Sequence, residues 1–361
     1  MGSDIQQTGQ FPLLGKRYAE AGYGYTLTPR QQAVRDSILA ADHESHWEDV
    51  DCACGAKDDQ VISRVDRYGL PYLKVICKGC GLLRVKHRWT QDRYNHFYAH
   101  EYRDLYNPIE IEKSTRIVQV ASSSPAKDLA NWIMSSVQHY GGPNATPTIV
   151  EIGAGGGWNL AGLPTSWKRI GYDVDAEYLQ GGRDQLGLDM RHGFLDGALA
   201  AVAEADVVLL SHVVEHFLDP AAELAKIAAA LRPGGLLLIE VPGVYRIHRG
   251  NADPMRYMQG AHTFTFSAQT LSSAVRMAGF EIAYADEMVR LVARRSDTGA
   301  SQQPTWGQDP AHAAGIVDYL LKCERIHGAV LKLRSLPGGR IPAALMRRIG
   351  AAYLERRYGH S

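Results

Sequence analysis

The chain has 361 residues, in which 39 lysines and arginines balance 39 aspartates and glutamates. This length predicts two folded units with appendages. The balanced charge argues against a long nucleic-acid footprint or attraction to an anionic membrane surface. Since no apolar run approaches the roughly 20 residues of a membrane span and no basic segment leads into an apolar one at the start, we expect a cytoplasmic protein.

Four of the five cysteines are clustered near the start of the chain, and Cys323 stands alone near its end. Within "CACGAKDDQVISRVDRYGLPYLKVICKGC", two pairs bracket strand-like residues. Paired cysteines in a reducing compartment more often bind a metal than form a disulfide. Cys77 and Cys80 have the spacing of a zinc knuckle, whereas Cys52 and Cys54 are separated by a single residue. We predict a structural zinc ion on these four thiolates; the alternative is a set of reduced core cysteines.

The remaining chain reads as a helical segment, an alternating region and a helical tail. Residues 109–140 are helical in pattern, and strands then alternate with helices to about residue 296, which predicts a mostly parallel sheet covered on both faces. The tail has a basic face, for which we favour solvation over lipid or nucleic-acid contact. We therefore expect three domains: 1–107 with the cysteines, 108–297 with the sheet, and 298–361 as a helical extension.

The segment "TIVEIGAGGGWNL" carries the strongest binding signal. Glycines at the end of a strand let the backbone turn sharply and lie against a ligand. A dinucleotide loop would need glycine where Trp158 stands, and no lysine follows to complete a phosphate loop. Asp173, which ends the next predicted strand, can accept both hydroxyls of a ribose. The pattern predicts an adenosine ligand without a pyrophosphate, and the alternative is a tight turn between core elements.

In these elements the sequence resembles the class I S-adenosylmethionine-dependent methyltransferases over about residues 109–296. The resemblance implies a Rossmann-like, seven-stranded α/β sheet and S-adenosylmethionine as cofactor. "LRPGGLLLIEVP" resembles the family's post-loop turn and fifth strand. Phe194 or Asp196 would receive the adenine, and Asp173 the ribose. The family's E/D-x-G-x-G-x-G loop, whose acid organises the loop and the methionine ammonium, corresponds to Glu151, Gly153, Gly155 and Gly157.

The cysteine segment and the following "RWTQDRYNHFYAHEYRDLY" resemble the zinc-bearing amino-terminal domain of methyltransferases that act on nucleotide-linked sugars and surface glycans. The resemblance implies a structural zinc ion and a sugar or glycan acceptor. It places Tyr102, Arg103 and Tyr106 where that family leads its chain over the cofactor. The alternative is that these side chains pack against a sheet edge.

His262 in "AHTFTFS" corresponds to the family's recurring histidine before the sixth helix. A neutral imidazole could accept the proton of an attacking hydroxyl; the alternative is a histidine that caps the following helix. Sugar C-methyltransferases of this type carry a Y-H-E-H arrangement, in which Gln259 and Ala261 would replace the tyrosine and the glutamate. We therefore expect O-methylation of a sugar hydroxyl, with C-methylation as the alternative.

The stretch "SHVVEH" matches the H-x-x-E-H pattern of inverted zinc metallopeptidases. That site needs a long helix, whereas this stretch leaves a predicted strand and a new helix begins at Asp219 and Pro220, so we expect the match to be coincidental. In the methyltransferase interpretation, Ser211 and His212 border the cofactor, and Glu215 and His216 face the acceptor.

Two alternatives stay open. Some quinone-type O-methyltransferases hold a divalent ion on an equivalent E-x-x-E-H turn, where His212 would replace the first glutamate; we do not favour this ion. A zinc-dependent nucleic-acid-binding protein, using "CKGCG" and the basic tail, is the alternative from another functional class, and the balanced charge argues against it.

Overall fold

The computed structural model describes residues 11–22, 24–106, 113–142, 144–287, 289–296 and 306–359. The strands in chain order are β1 Trp47–Asp49, β2 Asp59–Val65, β3 Pro71–Cys77, β4 Leu83–Trp89, β5 Thr148–Ile152, β6 Lys168–Asp173, β7 Asp189–His192, β8 Val207–Ser211, β9 Leu236–Glu240, β10 Phe264–Thr265, β11 Phe280–Ala285 and β12 Arg290–Arg295. The helices are α1 Pro29–Ala40, α2 Gln91–His100, α3 Tyr102–Tyr106, α4 Lys113–Ala121, α5 Ser124–Tyr140, α6 Trp158–Ala161, α7 Ala176–Leu186, α8 Leu195–Ala203, α9 Pro220–Ala230, α10 Ala268–Met277, α11 Pro310–Arg334 and α12 Arg340–Tyr358.

The chain forms two compact units, each built from separate segments. The first contains 1–109, 242–270 and 307–361, and the second contains 110–241 and 271–306. The segment 242–270 and the carboxyl-terminal helices thus group with the cysteine-bearing segment. The consecutive domains expected from the sequence divide the chain differently, at residues 107 and 297, and those boundaries stay a prediction.

The second unit is the predicted seven-stranded α/β sheet. Among the described residues the strand order is β11-β12-β9-β8-β5-β6-β7; β5 to β9 are parallel, and β12 is antiparallel to both of its neighbours, β9 and β11. The central strands are near-continuous apolar runs because both of their faces are covered. Strand order reverses beside β5, which has β8 on one side and β6 on the other. The carboxyl ends of these three strands therefore share the edge at which open parallel sheets bind ligands.

The first unit contains an antiparallel sheet in the order β1-β4-β3-β2, and β10 from the segment 242–270 pairs with β4. Apolar side chains of this sheet form one core with residues 244–258 and with α11 and α12. Tyr319 of α11 is fully buried in that core. Its hydroxyl donates to the Tyr245 carbonyl at 3.0 Å and accepts from the His248 backbone N–H at 3.0 Å. The predicted carboxyl-terminal helices are therefore present and are packed within this unit.

Local signals account for most element boundaries. Asp219 caps α9 by accepting a hydrogen bond from the Ala222 N–H, and Pro220 follows it, as predicted. The helical pattern predicted for 109–140 is two helices, because Ser123 caps a new helix that carries Pro125 in its first turn; residues 109–112 lie outside the described residues. "SHVVEH" contains one 3-10 turn, Val214–His216, which excludes the long helix of a peptidase site.

Among the helices that the structure describes, none combines the length and the apolarity needed to cross a bilayer.

Candidate functional site

A glycine loop follows β5 in the second unit. The Gly153 and Ala154 N–H groups both donate to the Tyr172 carbonyl of β6, at 2.8 and 2.9 Å. Gly153, Gly155 and Gly157 all have positive φ, which L side chains rarely adopt. A Cβ on Gly155 would overlap the ring of Trp158. Local packing alone therefore requires these glycines, and the partial exposure of Gly153 and Gly155 leaves their backbone open to a ligand.

Glu151 lies beneath this loop and is fully buried. Asn159 of α6 donates to its Oε1 at 2.7 Å, whereas Oε2 has no hydrogen-bond partner within the described part of the chain. Burial, with a smaller contribution from the nearby Asp173 charge, raises the pKa of Glu151 to about 8 against the opposing effect of the Asn159 hydrogen bond. A cationic group beside a buried carboxyl offsets the cost of burying its ionised form, so such a group fits this position chemically. The supporting role of Asn159 was not predicted from the sequence.

Asp173 ends β6 beside the same loop. Its Oδ2 accepts the Gly155 N–H at 2.8 Å, and its Oδ1 accepts the Asp175 N–H at 2.8 Å. These bonds fix the carboxylate, which is partly exposed and keeps acceptor capacity on both oxygens. The structure thus brings the predicted acid and the predicted glycine loop into direct contact.

Two apolar side chains are exposed near Asp173. Val174 follows it directly and is 60% exposed, and Phe194, which comes just after β7, is 44% exposed. Asp196 instead extends into solvent, where it pairs with Lys226 at 3.1 Å. Of the two residues predicted to receive an adenine, Phe194 therefore offers the open apolar surface. Val174 was not predicted from the sequence, although its position directly after Asp173 was the available signal.

The end of β8 carries Ser211 and His212. His212 adopts φ +57°, which is uncommon for a residue other than glycine and concentrates at functional sites. Its N–H donates to the Glu240 carbonyl at 2.8 Å. Its imidazole is half-exposed and lies 3.4 Å from the Glu215 carboxylate and 3.7 Å from that of Glu240. Glu240, missed in the sequence analysis, is also held by Arg290 at 2.6 Å.

The acceptor-side residues predicted from the sequence fall in both units. Glu215 is buried and His216 half-buried on the 3-10 turn of the second unit. His262 is half-buried in the first unit, directly before β10. Tyr102 and Tyr106 stack on each other in α3 of the first unit, with ring centroids 4.7 Å apart, and Arg103 between them is exposed. A role of α3 over the cofactor stays a prediction.

The four clustered cysteines converge in the first unit, and their Sγ atoms all lie within 4.8 Å of one another. Cys52 and Cys80 are 3.6 Å apart at sulfur, and Cys54 and Cys77 are 3.5 Å apart. A tetrahedral zinc ion with bonds of about 2.3 Å needs sulfurs about 3.8 Å apart. The donor set and its spacing therefore fit zinc, and the single-residue spacing of Cys52 and Cys54 does not prevent convergence.

Comparisons with known proteins identify one part of the chain. A family model described as a methyltransferase domain matches residues 94–285, just over half of the chain. A probable S-adenosylmethionine-dependent methyltransferase of Mycolicibacterium smegmatis is 30% identical over 136 residues, which are 37% of this chain and 52% of that protein. The ubiquinone biosynthesis O-methyltransferase of Parvibaculum lavamentivorans is 32% identical over 97 residues, which are 25% of this chain and 38% of that protein. The chain thus spans about half the length, or less, of these relatives.

Solved structures give a general likeness. Human N-acetylserotonin methyltransferase matches with a TM-score of 0.42 and 14% identity, covering 57% of this chain and 61% of that one. CalS10, an amino pentose methyltransferase from Micromonospora echinaspora, matches with a TM-score of 0.38 and 16% identity, covering 52% of this chain and 98% of that one.

We expect Glu151→Gln to stabilise the ligand-free protein increasingly as pH rises from 5 to 8. A carboxyl whose folded pKa is raised lowers stability by an amount that is absent below its unfolded pKa, near 4.5, and complete above its folded pKa, near 8. Urea unfolding should therefore show a gain that is small at pH 5 and reaches a few kcal/mol at pH 8. Glu204→Gln, at an exposed position, is the control. An equal gain in the free energy of unfolding at pH 5 and pH 8 would contradict a raised pKa for Glu151.

Proposed function

Because the chain belongs to the family of methyltransferase domains, we propose that it transfers a methyl group from S-adenosylmethionine to a hydroxyl of a sugar in glycan or natural-product biosynthesis. The observation that carries the proposal is the contact between the Gly153–Gly157 loop and Asp173, directly above the buried Glu151. When bound, S-adenosylmethionine supplies an electrophilic methyl group on a sulfonium.

The cofactor fits the groups at the carboxyl edge of the seven-stranded sheet. Its methionine ammonium would place a positive charge beside Oε2 of Glu151, which has no hydrogen-bond partner among the described residues, and that charge would favour the ionised carboxylate. Asp173, already fixed by two backbone N–H groups, would accept the ribose hydroxyls. The exposed surfaces of Val174 and Phe194 offer apolar contact for the adenine. Ser211 and His212 would line the cofactor at the end of β8.

The acceptor requires a base, since an attacking hydroxyl must lose its proton. We propose His262 for this role, with His216 and Glu215 shaping the acceptor side or supplying a second base. Gln259 and Ala261 stand where a sugar C-methyltransferase would have its tyrosine and glutamate. Removing a proton from carbon needs more base assistance than removing one from oxygen, so this departure supports O-methylation.

We also propose that Cys52, Cys54, Cys77 and Cys80 bind one structural zinc ion. The spacing of their sulfurs supports this proposal. The turn that carries Cys80 is closed by the Gly81 N–H, which donates to the Cys77 carbonyl at 2.8 Å. Gly81 has φ +81°, so glycine is needed there. A small antiparallel sheet buries little apolar area and gains stability from a metal.

Calorimetric titration with S-adenosylhomocysteine tests the cofactor site. We expect the wild type to bind and Asp173→Ala to bind at least about tenfold more weakly, because the hydrogen bonds to a charged acceptor are lost. Asp184→Ala removes an exposed carboxylate of α7 that accepts a hydrogen bond from Gln180 and should bind as the wild type does. Failure of the wild type to bind, or equal binding by Asp173→Ala, would refute the proposal.

Mass spectrometry with a panel of nucleotide sugars and isotopically labelled S-adenosylmethionine tests the acceptor class. We expect one labelled methyl group on a sugar oxygen. His262→Asn should lower kcat by about 10²-fold or more with little change in affinity for S-adenosylhomocysteine, because it removes proton acceptance only. A methyl group on carbon would select the alternative reaction, and an unchanged kcat in His262→Asn would remove this residue from catalysis.

Elemental analysis of the purified protein tests the zinc proposal. We expect about one zinc ion per chain, lost in Cys77→Ala together with the thermal stability of the first unit. Cys323→Ala, which removes a buried cysteine of α11 outside the cluster, should keep the metal. A metal-free wild type whose melting is unaffected by a strong chelator would contradict a structural zinc.

A further inference from the structure

Four side chains of the first unit hold the backbone of three consecutive residues, Gly260 to His262. The Tyr94 hydroxyl donates to the Gly260 carbonyl at 2.9 Å, and the Tyr98 hydroxyl donates to the Ala261 carbonyl at 3.2 Å. The Tyr106 hydroxyl accepts the Ala261 N–H at 3.3 Å, and the Lys74 ammonium donates to the His262 carbonyl at 3.2 Å. We call Lys74, Tyr94, Tyr98 and Tyr106 the backbone collar.

The collar is built from well-packed elements. Tyr94 and Tyr98 lie one turn apart on α2, and Tyr106 ends α3. Tyr94 is buried, with its ring against that of Trp89 at 5.4 Å between centroids. The flanks of the held segment are tied to the sheet as well, since the Val85 N–H of β4 donates to the Thr263 carbonyl at 2.8 Å. The backbone that carries His262 is therefore fixed on several sides, while its imidazole is half-buried.

The hydrogen bond from Lys74 carries a desolvation cost, because it requires burial of an ammonium group. It is fully buried on β3, where Tyr72 and Ile76, two residues away on either side, belong to the apolar core. The His262 carbonyl is its hydrogen-bond acceptor, and no carboxylate of the described chain pairs with it. Burial lowers the pKa of Lys74 to about 7, which reflects the cost of an unpaired ammonium in this position. An apolar side chain of similar length would serve folding better.

We propose that Lys74, with the three tyrosines of the collar, is a positioning residue that fixes the backbone of His262 for methyl transfer. This inference rests on the role proposed for His262. The direction of a side chain follows from its backbone, and a misplacement of about 1 Å at a reacting group can lower the rate about 10²-fold. The antiparallel unit would then serve the reaction through geometry, as the support of one catalytic turn.

Lys74→Met separates positioning from stability. We expect the free energy of unfolding to stay equal or to rise, because an unpaired buried ammonium is replaced by an apolar side chain. We expect kcat to fall about tenfold or more, with KM for S-adenosylmethionine unchanged. Lys86→Met on the adjacent strand, whose ammonium pairs with Asp59 at 3.0 Å, is the matched control and should keep kcat. A variant that loses stability and activity in parallel would overturn the proposal.

Tyr98→Phe provides a second, milder variant. It removes only the hydroxyl that donates to the Ala261 carbonyl and leaves the ring in place, so the protein should fold. We expect a several-fold loss of kcat from this variant, again with KM for S-adenosylmethionine unchanged. An unchanged kcat in both Lys74→Met and Tyr98→Phe would overturn the proposal.

A double-mutant cycle shows whether the collar acts through His262. In a His262→Asn background, Lys74→Met should cause no further loss of kcat, because the residue being positioned is already gone. An equal fold-loss in both backgrounds would mean that Lys74 acts by another route and would overturn the proposal.

Imidazole spectra by nuclear magnetic resonance make the test independent of turnover. The His262 signal is identified by its absence in His262→Asn, and we expect Lys74→Met to shift or broaden it while the other histidine signals stay in place. If this occurs in a protein that binds no S-adenosylhomocysteine, the proposed function fails and the positioning contact stands. If the protein is active but the His262 signal is unmoved, the positioning inference alone is overturned.

Discussion

The reversal of strand order beside β5 is the constraint on which the candidate site depends. A strand flanked by β6 on one side and β8 on the other has connections that leave in opposite directions, which opens a crevice at its carboxyl end. Glu151, the glycine loop, Asp173 and His212 all lie at the ends of these three strands. The buried apolar strands β5, β6 and β8 position these residues, because the point at which each strand ends determines where the following loop begins. The location of the candidate site therefore follows from the sheet topology, whichever side chains occupy it.

The first unit depends on a different kind of constraint, because its sheet is completed by distant parts of the chain. β10 pairs with β4, and α11 and α12 close the core that β2 to β4 begin. Glu355 of α12 holds His248 and Arg249 of the segment 242–270, at 2.5 and 2.6 Å. Residues more than 100 positions apart are thus in direct contact within one core.

The sequence was informative where structure is local. The glycine loop, the capping Asp219 and the alternation of strands and helices follow from backbone conformation and hydrophobic period, and they were predictable. The grouping of residues 242–270 with the amino-terminal unit was not, because it arises from contacts between distant segments. Lys74 was missed because a lysine on a strand normally marks a solvent face. The positive φ of His212 was not predicted, because histidine adopts this conformation only occasionally.

Each unit buries an ionisable group among apolar side chains at a position that the proposals above assign to function. Glu151 in the second unit and Lys74 in the first are both fully buried, and within the part of the chain that the structure describes each has one neutral hydrogen-bond partner. Burial raises the pKa of Glu151 to about 8 and lowers the pKa of Lys74 to about 7. Neither arrangement favours folding, so each is best explained by what it contacts. For Glu151, a cationic ligand would offset the desolvation cost of the ionised carboxylate, and this pairing would contribute to ligand binding. For Lys74, the contact is the backbone of His262, whose position the ammonium helps to fix.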